Sequence, residues 1–411
     1  MELLLHMKNS SEKFNKQQLS VVLLLGVLSA MGPFTIDMYL PAFNQISTSL
    51  QTTQDQVQLS LASYFIGISV GQLFYGPITD RFGRKNPLYV GLIIYTLASI
   101  GCGLAKNIDQ LVAFRLLQAL GGCAGMVVSR AVVRDLFKPH ESAKVFSMLM
   151  LVMGIAPIIA PSVGSFVSVT WGWRAIFTVL TSISIVTFIA LALYLPESKK
   201  ADKSVELKIG KILSVYFNLL KDKTFIFYSL CGSFASAGMF AYISSSSFIF
   251  ITLFEFSEKT FSLLFSLNAA GLILCSQLNR VLLKWYSMQQ LLKSATIAML
   301  LFGLSISAAA FMNLPTELII GLLFLFISCL GFIYPNSTAL ALANTGAQTG
   351  SASALMGALQ MFMSFVSSVL VSSFFDNTIL PVALIIGTCG VLTVVTLYLR
   401  KKFTYRVDPV Y

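Results

Sequence analysis

Charge is scarce in this sequence. Asp, Glu, Lys and Arg together supply 11% of the 411 residues, less than half of the roughly one quarter typical of soluble domains. A soluble chain of this length would bury a large apolar core and still need a charged exterior, which these residues cannot build. Histidine is scarcer still. His6 and His140 lie at the N-terminus and in a loop, with no Cys or acid cluster around them, so an enzyme with a metal centre or a nucleophile–base set is not expected. No Gly-rich phosphate loop and no nucleotide domain is present, which argues against an ATP-driven pump. The six cysteines, Cys102, Cys123, Cys231, Cys275, Cys329 and Cys389, all fall within apolar runs without metal-ligand spacing. They read as small packing residues, and no cofactor or metal is called for.

What the chain has in abundance is apolar sequence, 56% of its residues. A helix needs about 20 predominantly apolar residues to cross a bilayer core. Such runs occur near 19–41, 56–76, 87–105, 109–129, 143–167 and 174–195, and again near 224–251, 260–283, 289–312, 315–339, 351–375 and 379–399. Their length excludes barrel strands of about ten alternating residues, and continuous helices satisfy every backbone polar group in lipid. The first run continues through Asp37 and Pro41 and reads as a retained helix, not a cleaved leader. The fold class expected is all-α integral membrane, with twelve spans in two bundles of six. Residues 1–196 form the first bundle with a short N-terminus, 197–222 a Lys- and Glu-rich linker, and 223–411 the second bundle with a short tail. The linker has amphipathic spacing from Ser204 to Leu220, suited to a surface helix.

Lys and Arg fall almost entirely on one side of this pattern. Only Lys106, Arg174 and Lys259 would lie on the other side, and Arg115 lies within a span. Both termini are therefore expected in the cytoplasm. The net charge of +11 is dispersed over loops that would face anionic lipid headgroups, so membrane lipids are the expected partner and nucleic acid is not.

Two ionisable residues lie deep in the spans, where such groups are expensive and usually functional. Asp37 precedes the outer end of the first run, and Arg115 lies about six residues from the outer end of the fourth, at comparable depth. Asp37 is the expected proton-responsive carboxylate, with Arg115 as its partner or competitor; a static pair that merely neutralises two charges is the alternative. No cluster of oxygen ligands suggests a sodium site, so protons are the expected coupling ion. The loop between the second and third runs reads Gly76-Pro77-Ile78-Thr79-Asp80-Arg81-Phe82-Gly83-Arg84-Lys85, with an acid and a basic cluster between two glycines. Arg84 could reach Asp135, just beyond the fourth run. The matching second-half loop, Asn279 to Lys284, lacks the Gly and Asp. The fifth run carries Pro157, Pro161 and Gly164, for kinking and close helix approach. Tyr39, Tyr64, Phe240, Tyr242, Asn268, Tyr334, Asn336 and Gln360 are candidates to line a cavity for amphipathic molecules, although aromatics in membrane helices more often face lipid or a neighbour.

The 76–85 loop closely resembles the signature of the major facilitator superfamily. Phe34 to Pro41, Arg115 to Gly122, Gly154 to Gly164, Tyr334 to Leu342 and Gly350 to Leu355 extend the likeness over essentially the whole chain. Together they resemble the bicyclomycin-resistance (Bcr/CflA) type of drug:proton antiporter. The resemblance implies alternating access between the bundles and proton-coupled export of small amphipathic compounds, by a monomer in a bacterial inner membrane. It places the Asp80 loop against the start of the eleventh helix at Thr349-Gly350-Ser351, where a carboxylate would latch the outward-facing state. Gly76, Asp80, Arg81, Gly83, Arg84, Lys85 and Asp135 are then conformational residues, and the Pro157–Gly164 segment a seal against leak. The fifth-helix motif is incomplete, with Ala156 where family members commonly have Gly. A dedicated exporter of one metabolite, such as a sugar or siderophore, is the alternative, and a nutrient importer or membrane receptor a more distant one.

Overall fold

The computed structural model describes residues 16–202 and 209–404. Twelve helices in it are long and apolar enough to cross a membrane, and each coincides with one of the expected runs. They are α1 (Lys16–Asp37), α2 (Gln54–Phe82), α3 (Lys85–Leu104), α4 (Ile108–Leu136), α5 (Pro139–Trp171) and α6 (Arg174–Tyr194) in the first half. The second half comprises α7 (Lys223–Ser247), α8 (Glu258–Leu282), α9 (Met288–Phe311), α10 (Thr316–Leu342), α11 (Thr349–Ser373) and α12 (Leu380–Thr404). The first span is interrupted where the sequence reading carried it through. α1 stops at Asp37, a 3-10 turn spans Leu40–Ala42, and a short helix follows at Phe43–Ser49. Pro41 lacks a backbone donor and disfavours helical geometry at Leu40, which breaks the run there.

Between the halves, the linker forms a helix at Ile209–Lys221; the earlier part of the expected surface helix, 204–208, lies outside the described residues. Pro77 inside α2 leaves the carbonyl of Leu73 without its helical partner. The Tyr216 hydroxyl of the linker helix donates to that carbonyl at 2.8 Å. Burial pushes the Tyr216 phenol up to about 12, so it keeps this proton at physiological pH.

The halves repeat one packing plan. α1 packs on α4, α5 and α6, and α7 packs on α10, α11 and α12; α2–α4, α3–α4 and α3–α6 contacts recur as α8–α10, α9–α10 and α9–α12. The halves meet along α2 with α11 and α5 with α8, again equivalent pairs. Small side chains allow this closeness. An added Cβ at Gly121 of α4 would lie 2.5 Å from the Gly91 carbonyl of α3, so two backbones touch where lipid supplies no hydrophobic drive. The outward faces are apolar, with Leu23, Leu97, Phe166, Leu193, Leu274 and Leu301 exposed. Serines turn inward: Ser229, Ser233 and Ser244 to Ser247 of α7 are all fully buried. That inversion is the arrangement a hydrocarbon solvent selects.

Candidate functional site

The break after α1 creates the site. The last carbonyls of a helix have no partner within it, and the carbonyl of Thr35 accepts from Arg115 Nη1 at 3.1 Å. The same nitrogen donates to Gln118 Oε1 at 2.8 Å, and Gln118 in turn donates to Ser99 at 2.8 Å. The guanidinium lies between two phenol rings, 4.6 Å from the centroid of Tyr39 and 4.5 Å from that of Tyr64. Arg115 is 0% exposed, and its Nε and Nη2 have no hydrogen-bond partner.

Asp37 is 4% exposed, and it forms no hydrogen bond or ion pair among the described residues. The expected Asp37–Arg115 pair is thus absent in this form of the protein. The helix end explains the difference. The negative end of the α1 dipole favours a cation and disfavours a carboxylate, so Arg115 turns to the Thr35 carbonyl and the two rings. Gly164 fixes the same break from the other side: an added Cβ there would overlap the backbone of Met38. The α5 glycine therefore admits the residue that follows Asp37. α5 itself runs unbroken through Pro157 and Pro161, and α8 serines bond its backbone. Ser262 donates to the Pro161 carbonyl at 3.3 Å and Ser266 to the Ile158 carbonyl at 2.6 Å.

The candidate lining residues separate into groups. Tyr39 and Tyr64 belong to the Arg115 cage, and the Tyr39 hydroxyl pairs with Ser60 at 2.7 Å. Across the interface, Phe240 packs edge-on against Phe65 at 4.5 Å; within the second half, Asn268 Nδ2 of α8 donates to the Tyr242 hydroxyl of α7 at 2.7 Å. Asn336 instead spends its amide on Asn279 of α8 at 2.6 Å and on the Phe332 carbonyl, tying two helices of one half. The Tyr334 hydroxyl contacts the Met239 sulfur at 3.7 Å. Gln360 Nε2 lies 3.3 Å from where a Gly232 Cβ would stand.

A second constellation sits at the end of the bundle that carries the α2–α3 loop. Gly83 has φ +83°, a conformation that favours glycine, and turns the chain so that Arg84 points inward. Arg84 Nε donates to Asp135 Oδ2 at 2.7 Å, and Nη1 donates to Asp80 Oδ1 at 3.0 Å and Thr79 Oγ1 at 3.1 Å. Burial by itself would lower the Arg84 pKa, but the Asp135 and Asp80 carboxylates outweigh it and raise it. Lys199 Nζ holds Asp80 Oδ1 at 2.8 Å. Glu197 accepts the backbone N–H groups of Arg84 and Lys85 at 2.7 and 3.3 Å, an anion at the start of α3. Arg81 and Lys85 lie over the rings of Phe82 and Tyr89, and the space beside Gly76 is open. Asp80 thus bonds Arg84 and Lys199; the start of α11 at Gln348 has no side-chain cap. Glu197, Ser198 and Lys199 escaped the sequence reading because a charged linker shows no periodicity that would tie it to a loop over a hundred residues earlier.

At the opposite end the halves are joined directly. Gln54 donates to Thr252 at 2.9 Å and Thr252 to Asn44 at 3.2 Å; Gln45 and Ser165 both donate to Glu258, at 3.5 and 3.3 Å.

The comparisons with known proteins agree with this architecture. The family model described as Major Facilitator Superfamily matches residues 22–399. The chain is 33% identical to the MFS-type transporter YdgK of Bacillus subtilis, covering 92% of this chain and 94% of the relative. It is 30% identical to a bicyclomycin resistance protein homolog of Haemophilus influenzae, covering 92% and 95%. Multidrug resistance protein D of Escherichia coli is 28% identical over 84% of this chain and 86% of its own. Among solved structures, a D-xylose-proton symporter superposes with a TM-score of 0.74 at 16% identity, covering 92% of this chain and 97% of that one. A bacterial homolog of the lysosomal transporter Spinster, in an inward-facing conformation, gives 0.70 at 14% identity, covering 95% and 97%. Twelve spans on one repeated packing plan, the loop from Gly76 to Lys85 and these relatives identify the chain as a membrane transporter of the Major Facilitator Superfamily, of the bicyclomycin-resistance type.

Proposed function

We propose that the protein exports small amphipathic molecules, drugs among them, in exchange for protons entering the cell. The observation that carries this reading is Asp37: a carboxylate 4% exposed, without an ion-pair partner among the described residues, at the helix break beside the caged Arg115. An unpaired carboxylate in a membrane interior is costly and marks a proton path by default. Relatives named for resistance to bicyclomycin and to multiple drugs support a drug-like substrate, and Tyr39, Tyr64, Phe240, Tyr242 and Asn268 offer the aromatic and amide surface such molecules need.

The distribution of Lys and Arg supports placing the Arg84 end in the cytoplasm, with both termini there, in a bacterial inner membrane. The form described is then sealed outside, through Gln54, Thr252, Gln45, Ser165 and Glu258, with Asp80 not on the start of α11. It corresponds to the inward-facing half of an alternating-access cycle. In the outward-facing half, Asp80 would exchange Lys199 for the α11 N-terminus, the latch role of the 76–85 loop and Asp135. Pro157, Pro161 and Gly164 act as the seal by fixing α5 against Met38. The working units are 1–196 and 223–411, joined by 197–222, in a monomer.

The test is efflux of ethidium from everted membrane vesicles with and without an imposed proton gradient. Gradient-driven efflux is expected in the native protein and lost in Asp37→Asn. Efflux that ignores the gradient, or an active Asp37→Asn, sinks the coupling role. A panel of dissimilar compounds separates drug export from a dedicated exporter, which would move only one of them.

A further inference from the structure

The linker helix, Ile209–Lys221, touches both halves. One apolar stripe, Ile212, Val215, Tyr216 and Leu219, turns inward; Tyr216 is 6% and Leu219 5% exposed. The helix packs on α7 and α11 of the second half. Tyr216 then reaches the first half, where its hydroxyl donates to the Leu73 carbonyl of α2 at 2.8 Å. Pro77 leaves that carbonyl without its helical donor, and a buried carbonyl needs one from elsewhere. A helix carried by one half is thus hydrogen-bonded to the other, in the part of α2 that leads to the Arg84 loop.

A second apolar stripe of the same helix is left uncovered. Leu213, Phe217 and Leu220 are 55%, 60% and 39% exposed, at the spacing of one helix face. Ser214, Asn218 and Lys221 are exposed on the remaining arc. Lys221 Nζ stands 4.4 Å from the centroid of the Phe217 ring, an ammonium at the edge of the apolar stripe, as in a lysine that snorkels. On α2, Val70 and Phe74, which flank Leu73 in sequence, are 39% and 40% exposed and continue the apolar surface. The helix sequence, IGKILSVYFNLLK, holds two lysines and no acid. An apolar arc wider than the protein covers, opposite a polar arc with lysines, suits a helix lying in a leaflet surface. Its charge complements anionic headgroups. A second copy of the chain fits less well, because a two-fold contact would bring the same lysines together.

We propose that the linker helix docks on anionic lipid of the cytoplasmic leaflet through Leu213, Phe217, Leu220 and Lys221, and through Tyr216 holds the form that is closed outside. The proposal rests on the inward-facing reading above and adds a lipid surface as a regulating partner. The leaflet fixes the depth of the helix, and the helix carries Tyr216 to the Leu73 carbonyl. When the halves rock as bodies into the alternate form, α2 leaves Tyr216 and the helix is drawn from that depth. A lipid surface that binds the helix better in one form shifts the population toward that form. Anionic lipid therefore favours the inward-facing protein, and Tyr216 is the positioning residue that transmits the preference.

The test uses the full-length protein in vesicles of phosphatidylcholine, with and without phosphatidylglycerol, and spin labels on introduced cysteines. The unsubstituted chain gives the labelling background of the native cysteines. A label at Phe217→Cys is expected to meet oxygen dissolved in the bilayer and not a nickel chelate in the water, and one at Ser214→Cys the reverse. A label at 217 that the chelate reaches overturns the docking, and spin–spin broadening there would assign the stripe to a second copy instead. Labels at Asn86→Cys and Met288→Cys, exposed at the starts of α3 and α9, report the distance between the halves at the Arg84 end. The ratio of open to closed distances is expected to rise about fivefold with phosphatidylglycerol, the gain of one lysine at an anionic surface. Tyr216→Phe, which removes the hydroxyl and keeps the ring, should abolish that rise. An equal ratio in both lipids, or a full rise in Tyr216→Phe, overturns the proposal. A fall in the ratio would defeat the inward-facing reading, while the label depth at 217 still decides the docking.

Discussion

Arg115 carries more of the site's geometry than any other single side chain. It caps a helix end, bonds Gln118 and lies between two rings, all with one guanidinium. A lysine ammonium is a point charge without the planar fork, and it cannot fill both aromatic faces while reaching a carbonyl. Arg115→Lys is therefore expected to lower ethidium efflux at least tenfold, a loss of about 1.4 kcal/mol or more in transition-state terms. Fluorescence-detected size exclusion should show the variant still folded, since charge is retained. Wild-type efflux in Arg115→Lys would reduce the residue to a structural counter-charge. The sequence shows Asp37 and Arg115 at matching depth because charges in apolar runs stand out. Their failure to pair was not legible, because it depends on a helix end that Pro41 and Met38 create between them.

At the scale of the helix, the α1 break and α5 act together. Gly164 meets the Met38 backbone so closely that any side chain displaces one helix. Gly164→Val should destabilise by roughly 1–3 kcal/mol, as overpacking typically does, and shift Asp37 as it does so. Thermal unfolding in detergent would report the first effect and gradient-driven efflux the second; an unchanged unfolding midpoint would mean that α1 and α5 are not in close register. The α2–α3 loop shows the same dependence on partners. Its Gly83 turn is readable in the sequence, and so is the reach from Arg84 to Asp135. That Glu197 and Lys199 complete the network requires the α6 exit to pass beside it, which no local pattern announces.

For the molecule as a whole, the seal between halves at the Glu258 end defines which side is closed. Gln54 and Thr252 touch across it at 2.9 Å. The pair Gln54→Cys with Thr252→Cys is expected to cross-link readily under mild oxidation and to stop ethidium efflux, with recovery on reduction. Transport that continues with the cross-link formed would mean that the halves do not part there. The packing plan adds a second point at this scale. The two halves repeat their helix contacts pair by pair, whereas internal likeness in the sequence is faint. Contacts among membrane helices need small residues at spaced positions, not particular ones, so the plan persists while its residues drift.

The sequence by itself determined that the chain spans a membrane twelve times, where each span runs, which loops carry the positive charge and which two ionisable residues lie deep. These follow from local quantities: apolar length, the placement of Lys and Arg, and the cost of charge in hydrocarbon. The tertiary structure decided the partners. It placed Arg115 on a helix end and two rings, Asn268 on Tyr242, Asn336 on Asn279 and the linker's Glu197 and Lys199 on the Arg84 loop. Hydrogen bonds and ion pairs form between groups within about 3–4 Å, and only the folding together of helices far apart in the chain brings them that close.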